Sequence, residues 1–265
     1  MNRSSTSSDI TGLTGGAMRL AGRPNPALPQ WWRTMRWMLG MQAYLAVWFW
    51  GVILVLEAAA LLIFGRLDAV TMSYLQFAVH GTLWFPFAMM ITITAAQLTV
   101  HVAAGMTRRS FAVAAVGTAA VMALGYGIVL AGGMVAEGAL YQAMDWPHVH
   151  VANMETSGNG FLEPWTHGFA TSAVMYAVRT FSGAVAGLLV GIGYYRYGPW
   201  RGTALLPLTA LPALLGQDAI VDLLGGAVGW HPLTLALLGL VLPLLGALAY
   251  RRLTRSVPIR TMGGT

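Results

Sequence analysis

The sequence predicts an all-α, polytopic membrane protein with six transmembrane helices, an interfacial helix ahead of the first, and both termini in the cytoplasm. Three observations predict it. Of the 265 residues, 57% are hydrophobic and 9% are charged, against about 25% charged in soluble domains. So few charges cannot cover a soluble fold of this size. The apolar residues gather into six runs, each on the scale of the roughly 20 residues that cross a bilayer. Finally, 13 of the 15 Arg fall in alternate connections, the pattern by which positive charge sets orientation in a membrane.

Residues 1–24 are polar and rich in Ser, Thr and Gly. They lack the apolar core and cleavage site of a signal peptide and are expected to form a disordered cytoplasmic tail. The membrane domain is expected over 25–255, with a second cytoplasmic tail at 256–265. Within about 30–40, Trp31, Met35, Met38 and Leu39 share one side at helical spacing. Arg33 and Arg36 share the other, and Trp32 and Trp37 flank them. An Arg face opposite a Trp/Met face fits a helix lying along the membrane surface. The other reading is an extended start of the first span.

Span one is expected at about 42–64, interrupted by Glu57, and span two at about 76–104, with Pro86 inside it. Span three covers about 111–136, and a polar extracytoplasmic segment, 137–166, follows. Span four is expected at about 169–195. The fifth run, about 202–216, is short and holds Pro207 and Pro212. It is the least secure, because it could enter and turn back. The sixth is about 232–250. Arg3, Arg19, Arg23, Arg33, Arg36, Arg108, Arg109, Arg196, Arg201, Arg251, Arg252, Arg255 and Arg260 then lie on one side. Arg66 lies on the other with Asp68, Glu137, Asp145, Glu155, Glu163, Asp218 and Asp222. The Arg side is cytoplasmic.

Every basic residue is Arg, and there is neither Lys nor Cys. A nucleotide-binding P-loop needs Lys on the phosphates, and a Schiff base needs it too. Without Cys there is no disulfide, thiol nucleophile or Cys-ligated cluster. No catalytic residue is assigned to this chain. If ATP drives it, ATP and Mg belong to a partner subunit. The net charge of +6 follows span boundaries and does not point to nucleic acid.

The connection between spans two and three reads Gly105, Met106, Thr107, Arg108, Arg109, Ser110, Phe111. It resembles the Gly-x-(Ser/Thr)-Arg-Arg-x-Phe sequence that ABC-2-type permeases, the membrane subunits of type V-like ABC exporters, often carry at that place. The resemblance covers roughly 25–255. It implies a bacterial inner-membrane permease subunit with an elbow helix at 30–39 and a re-entrant element near 217–226. It also implies a dimer with a second permease copy or paralogue, and a separate dimeric ABC ATPase docking on residues 105–111 as a coupling element. Arg pairs suit docking on carboxylates; the alternative is that they only enforce orientation. The outer segment 137–166 is longer than the simplest members lead one to expect.

Other residues carry narrower expectations. Gly183, Gly187 and Gly191 form two Gly-x-x-x-Gly steps in span four, a groove for close helix approach within the subunit or between subunits. At 1.5 Å per residue, Glu57 falls roughly 10 Å, and Arg179 roughly 15 Å, from the outer ends of their spans. A buried pair between them, or a polar cavity that they share, is expected, or else Arg179 reaches to the interface. His148 and His150, beside Asp145, are weak candidates for Cu²⁺ or Zn²⁺, and no metal is assigned. In span two, Gln97 and His101 share a face, and with His80 they suit interhelical hydrogen bonds. Two alternatives stay open: a membrane-embedded enzyme, and a scaffold or immunity-type protein whose outer segment binds a partner or metal.

Overall fold

The computed structural model describes residues 28–67, 70, 72–146, 168–214 and 232–257. The expectations for the tail 1–24, for His148 and His150, and for 217–226 fall outside them. Among the described residues all regular structure is helical. In chain order, α1 is Gln30–Arg66. A single 3₁₀ turn, Leu75–Phe77, leads into α2, Ala78–Thr92. A π turn, Ile93–Gln97, joins α2 to α3, Leu98–Ala103. Then come α4, Arg108–Ala143, and α5, Phe169–Ala204. Two one-turn pieces follow, α6, Leu206–Thr209, and α7, Leu211–Leu214. The last two are α8, Pro232–Gly239, and α9, Val241–Arg255.

Among the described residues five rods are long and apolar enough to cross a membrane: Gln30–Arg66, Leu75–Ala103, Arg108–Ala143, Phe169–Ala204 and Ala236–Arg255. Their length and composition are those of a multi-pass membrane protein. The central rod is α5, 89% buried over its most apolar stretch, whereas that stretch of α1 is not buried at all. Small residues explain the difference. Gly183, Gly187 and Gly191 lie so close to α2 and the π turn that an added Cβ would meet Leu83 O, Phe87 O and Thr94 Cβ. On α4, Gly127 does the same against Ala173 and Ala177 of α5. With little hydrophobic drive between helices in lipid, such close van der Waals approach holds them together. The glycine groove is therefore filled within the chain.

The helix ends gather at one end of the bundle. Gln30 Oε1 accepts from Thr107 N at 3.4 Å and from Thr107 Oγ1 at 3.2 Å. Thr99 Oγ1 donates to Tyr195 OH at 3.2 Å, and Arg196 Nη1 to Ser256 Oγ at 2.7 Å. α9 thus runs in the same direction as α5. Between them the chain turns at Gly198, with φ 79° and ψ 179°, before Pro199. A positive φ at that point is open to Gly at no steric cost. α6 and α7 then climb: Thr209 lies beside Gly193, and Pro212 beside Gly246, itself packed on Val185 and Leu189.

Two expectations are corrected. No separate interfacial helix exists at 30–40, since α1 runs unbroken for 37 residues, about 55 Å. Gly40 alone does not break it, because Thr34, Met35, Met38 and Gln42 bury continuously, with Met35 sulphur seated over Gly117. Span three does not stop at residue 136: α4 continues to Ala143, and Glu137 is buried within it. At its other end the same helix begins at Arg108, so Arg108–Phe111 of the connection form its first turn. In the described part of the fifth run, residues 202–204 end α5 and the two short pieces α6 and α7 follow.

Candidate functional site

The turn between spans two and three is built by local rules at both ends. At the end of α3, Met106 N donates to His101 O at 3.2 Å and Gly105 N to Val102 O at 3.0 Å. Gly105 takes φ 77°. This is the Schellman stop, with glycine in the left-handed position. At the start of α4, Thr107 is the N-cap: its Oγ1 accepts from Ser110 N at 3.1 Å, satisfying one of the helix's orphan donors. Only 104–107 lie outside helices.

Side chains then brace this turn against its neighbours. Gln30 at the start of α1 holds Thr107 as described above. Ser110 Oγ donates to Thr107 O at 2.7 Å. With that proton committed, His101 Nε2, 3.2 Å away, is the donor to Ser110 Oγ. The His101 ring stands edge-on to Phe111, 5.2 Å between centroids, and Phe111 is fully buried. Arg109 is exposed and Arg108 half-buried at this end. A cavity of about 410 Å³ opens beside the turn, walled by Arg33, Thr34, Trp37, His101, Ala104 and Met106.

At the opposite end lies a polar knot that sequence reasoning missed. Glu137 accepts from Ser73 Oγ at 2.6 Å, Tyr74 N at 2.9 Å and Leu75 N at 3.3 Å. It thereby caps the 3₁₀ turn that opens span two from a helix 62 residues on. Tyr141 OH donates to Met72 O at 3.0 Å. Glu57, on α1, lies close to Glu137. Burial, and next the Glu57 charge, push the Tyr74 hydroxyl above its usual pKa. The expected Glu57–Arg179 pair does not form. Arg179 is buried on α5 and Tyr176 feels its charge. The signal for this knot was a carboxylate directly after an apolar run, which reads equally well as the start of a loop.

The remaining candidates are dispersed. His80 is exposed on α2, and Gln97 is half-buried in the π turn. That turn carries Thr94, whose Oγ1 lies 3.1 Å from Tyr250 OH on α9. Trp31 and Trp37 are exposed, whereas Trp32 is packed on the core. Arg36 is exposed. Among the described residues no group of three or more His, Asp or Glu suits a metal ion. A second cavity, about 320 Å³ and wholly apolar, lies between α4, α5, α8 and α9, with Phe181, Leu124 and Leu240 in its walls. No family model, curated protein or solved structure matches this chain.

Proposed function

We propose that this chain is the membrane-spanning subunit of an ATP-driven exporter of the ABC-2 permease type. It works as a dimer, with a separate ATPase subunit docking on the turn 105–111. The observation that carries the reading is the bracing of that turn. A flexible loop would absorb a push from a partner. Here the Schellman stop, the Thr107 cap and the Gln30 clamp tie one four-residue turn to α1, α3 and α4. A displacement applied at Arg108 and Arg109 therefore reaches three helices at once. Guanidinium groups at that place offer planar, bidentate recognition of carboxylates.

Six crossings with both ends cytoplasmic also belong to this reading. Support comes from the common direction of α5 and α9, which requires the chain to climb back between them, and from the start of that climb in α6 and α7. The end where Gln30, Thr107, Arg196 and Ser256 gather is the Arg-rich end, cytoplasmic by the positive-inside rule. Arg36, Arg108, Arg109, Arg201, Arg251, Arg252 and Arg255 belong to the same end. The membrane would be the bacterial inner membrane, and ATP and Mg would sit on the partner. The apolar cavity between α4, α5, α8 and α9 suits an amphiphilic or hydrophobic cargo.

The test is co-purification with an ATPase encoded nearby. Replacing Arg108 and Arg109 together by Glu should release the ATPase while leaving the thermal midpoint of the permease unchanged. A chain that purifies alone, or a variant that keeps its ATPase, refutes the docking site.

A further inference from the structure

The cavity beside the braced turn has a chemistry that the exporter reading does not use. Its floor is the first turns of α1, with Arg33, Thr34 and Trp37. Its facing wall is His101, Ala104 and Met106. Arg33 Nε is buried and has no hydrogen-bond partner among the described residues. A guanidinium has five donors in a fixed fork, and leaving one buried and unmet is costly. Among the described residues no counter-ion is at hand. Glu57 and Glu137 lie at the far end of the bundle, and Asp145 follows the far end of α4. Among the described residues, then, no carboxylate lies at the end where Arg33, Arg36, Arg108, Arg109, Arg196, Arg201, Arg251, Arg252 and Arg255 collect.

We infer that this cavity binds the phosphate-bearing headgroup of an anionic phospholipid. Two features select a lipid over a free anion. The cavity opens at the rim of the apolar rods, where headgroups begin. Trp37, 54% exposed, and Trp31, 39% exposed, stand on the same helix, and exposed Trp at that depth marks the membrane interface. The Arg33 fork matches a phosphodiester, and Trp37 and Met106 give the glycerol and first methylenes an apolar wall. A volume of about 410 Å³ is on the scale of a small-molecule site. Bound there, the lipid bridges α1 and the 104–107 turn. The inference concerns this chain alone and stands whether or not an ATPase docks.

The test uses the full chain purified in detergent, titrated with phosphatidylglycerol or phosphatidylcholine and read by native mass spectrometry. The wild type should retain one phosphatidylglycerol in preference to phosphatidylcholine. Arg33→Gln should weaken that binding roughly tenfold, the scale of one charge-assisted hydrogen bond. Arg36→Gln, an exposed charge on the same helix, should change it less than about twofold, as a screened surface charge does. Ala104→Trp fills the cavity without touching Arg33 and should abolish retention, which keeps the test valid if Arg33→Gln folds poorly. Equal losses in Arg33→Gln and Arg36→Gln would reduce the effect to diffuse surface charge and overturn the site. Equal retention of the two lipids, or displacement of phosphatidylglycerol by millimolar inorganic phosphate, would overturn it as well.

Discussion

Gly183→Ala and Gly51→Ala are the same chemical change on two long helices, and the structure predicts opposite outcomes. At Gly183 an added Cβ would lie 2.5 Å from Leu83 O and 2.8 Å from Leu83 Cδ1. The side chain can swing away, but the carbonyl belongs to α2 and cannot. Restoring an ordinary contact of 3.4 Å moves α2 by about 0.9 Å from α5, and that opens the neighbouring contacts at Gly187 and Gly191. Overpacking of this kind costs about 1–3 kcal/mol, and backbone against backbone belongs at the upper end. At Gly51 nothing lies within 4 Å of the added atom, so only the helix preference for Ala remains, about 1 kcal/mol in its favour. The overpacking separates the two variants by about 3 kcal/mol, or roughly 6–12 °C in thermal midpoint for a chain of this size. The assay is thermal unfolding in one detergent at one scan rate, since membrane proteins unfold irreversibly and midpoints then depend on rate. A midpoint for Gly183→Ala equal to or above that of Gly51→Ala would refute the account of what holds α5 at the centre.

Three further outcomes follow from the two bundle ends. Glu137→Ala should destabilise the protein by about 3–5 kcal/mol, because Ser73 Oγ and the Tyr74 and Leu75 amides lose their acceptor while buried; hydrogen exchange at residues 73–77 should rise together. Gly105→Ala should cost about 1 kcal/mol from the left-handed backbone alone, since no atom lies within 4 Å of the new Cβ; Gly105→Asn should recover much of the midpoint lost. Thr107→Val should lower the thermal midpoint by the loss of an N-cap, about 1 kcal/mol; Gln30→Ala should add little in the Thr107→Val background if the two act through the same clamp.

The sequence by itself determined that this is a helical membrane protein, where most of its rods lie, and which end carries the Arg. Those properties depend on local composition: apolar length, the absence of Lys and Cys, and charge at boundaries. The glycine steps at Gly183, Gly187 and Gly191 were equally legible, because close approach is written in single residues, whereas the Gly105 stop and the Thr107 cap came from the structure. Only the tertiary structure decided the rest. Glu57 was expected to meet Arg179 because both lay at similar depth, but depth says nothing about which face of a helix a residue takes. The rotation of α1 against α4 gave Glu57 to Glu137. The boundary of span three moved from 136 to 143 because Glu137, polar by type, is paid for by three hydrogen bonds from residues 62 to 64 positions earlier in the chain. The start of α1 became part of one continuous helix because α4 offered Gly117 beneath Met35. In each case the deciding partner is distant in the chain, and a contact between distant residues depends on packing that no local pattern encodes.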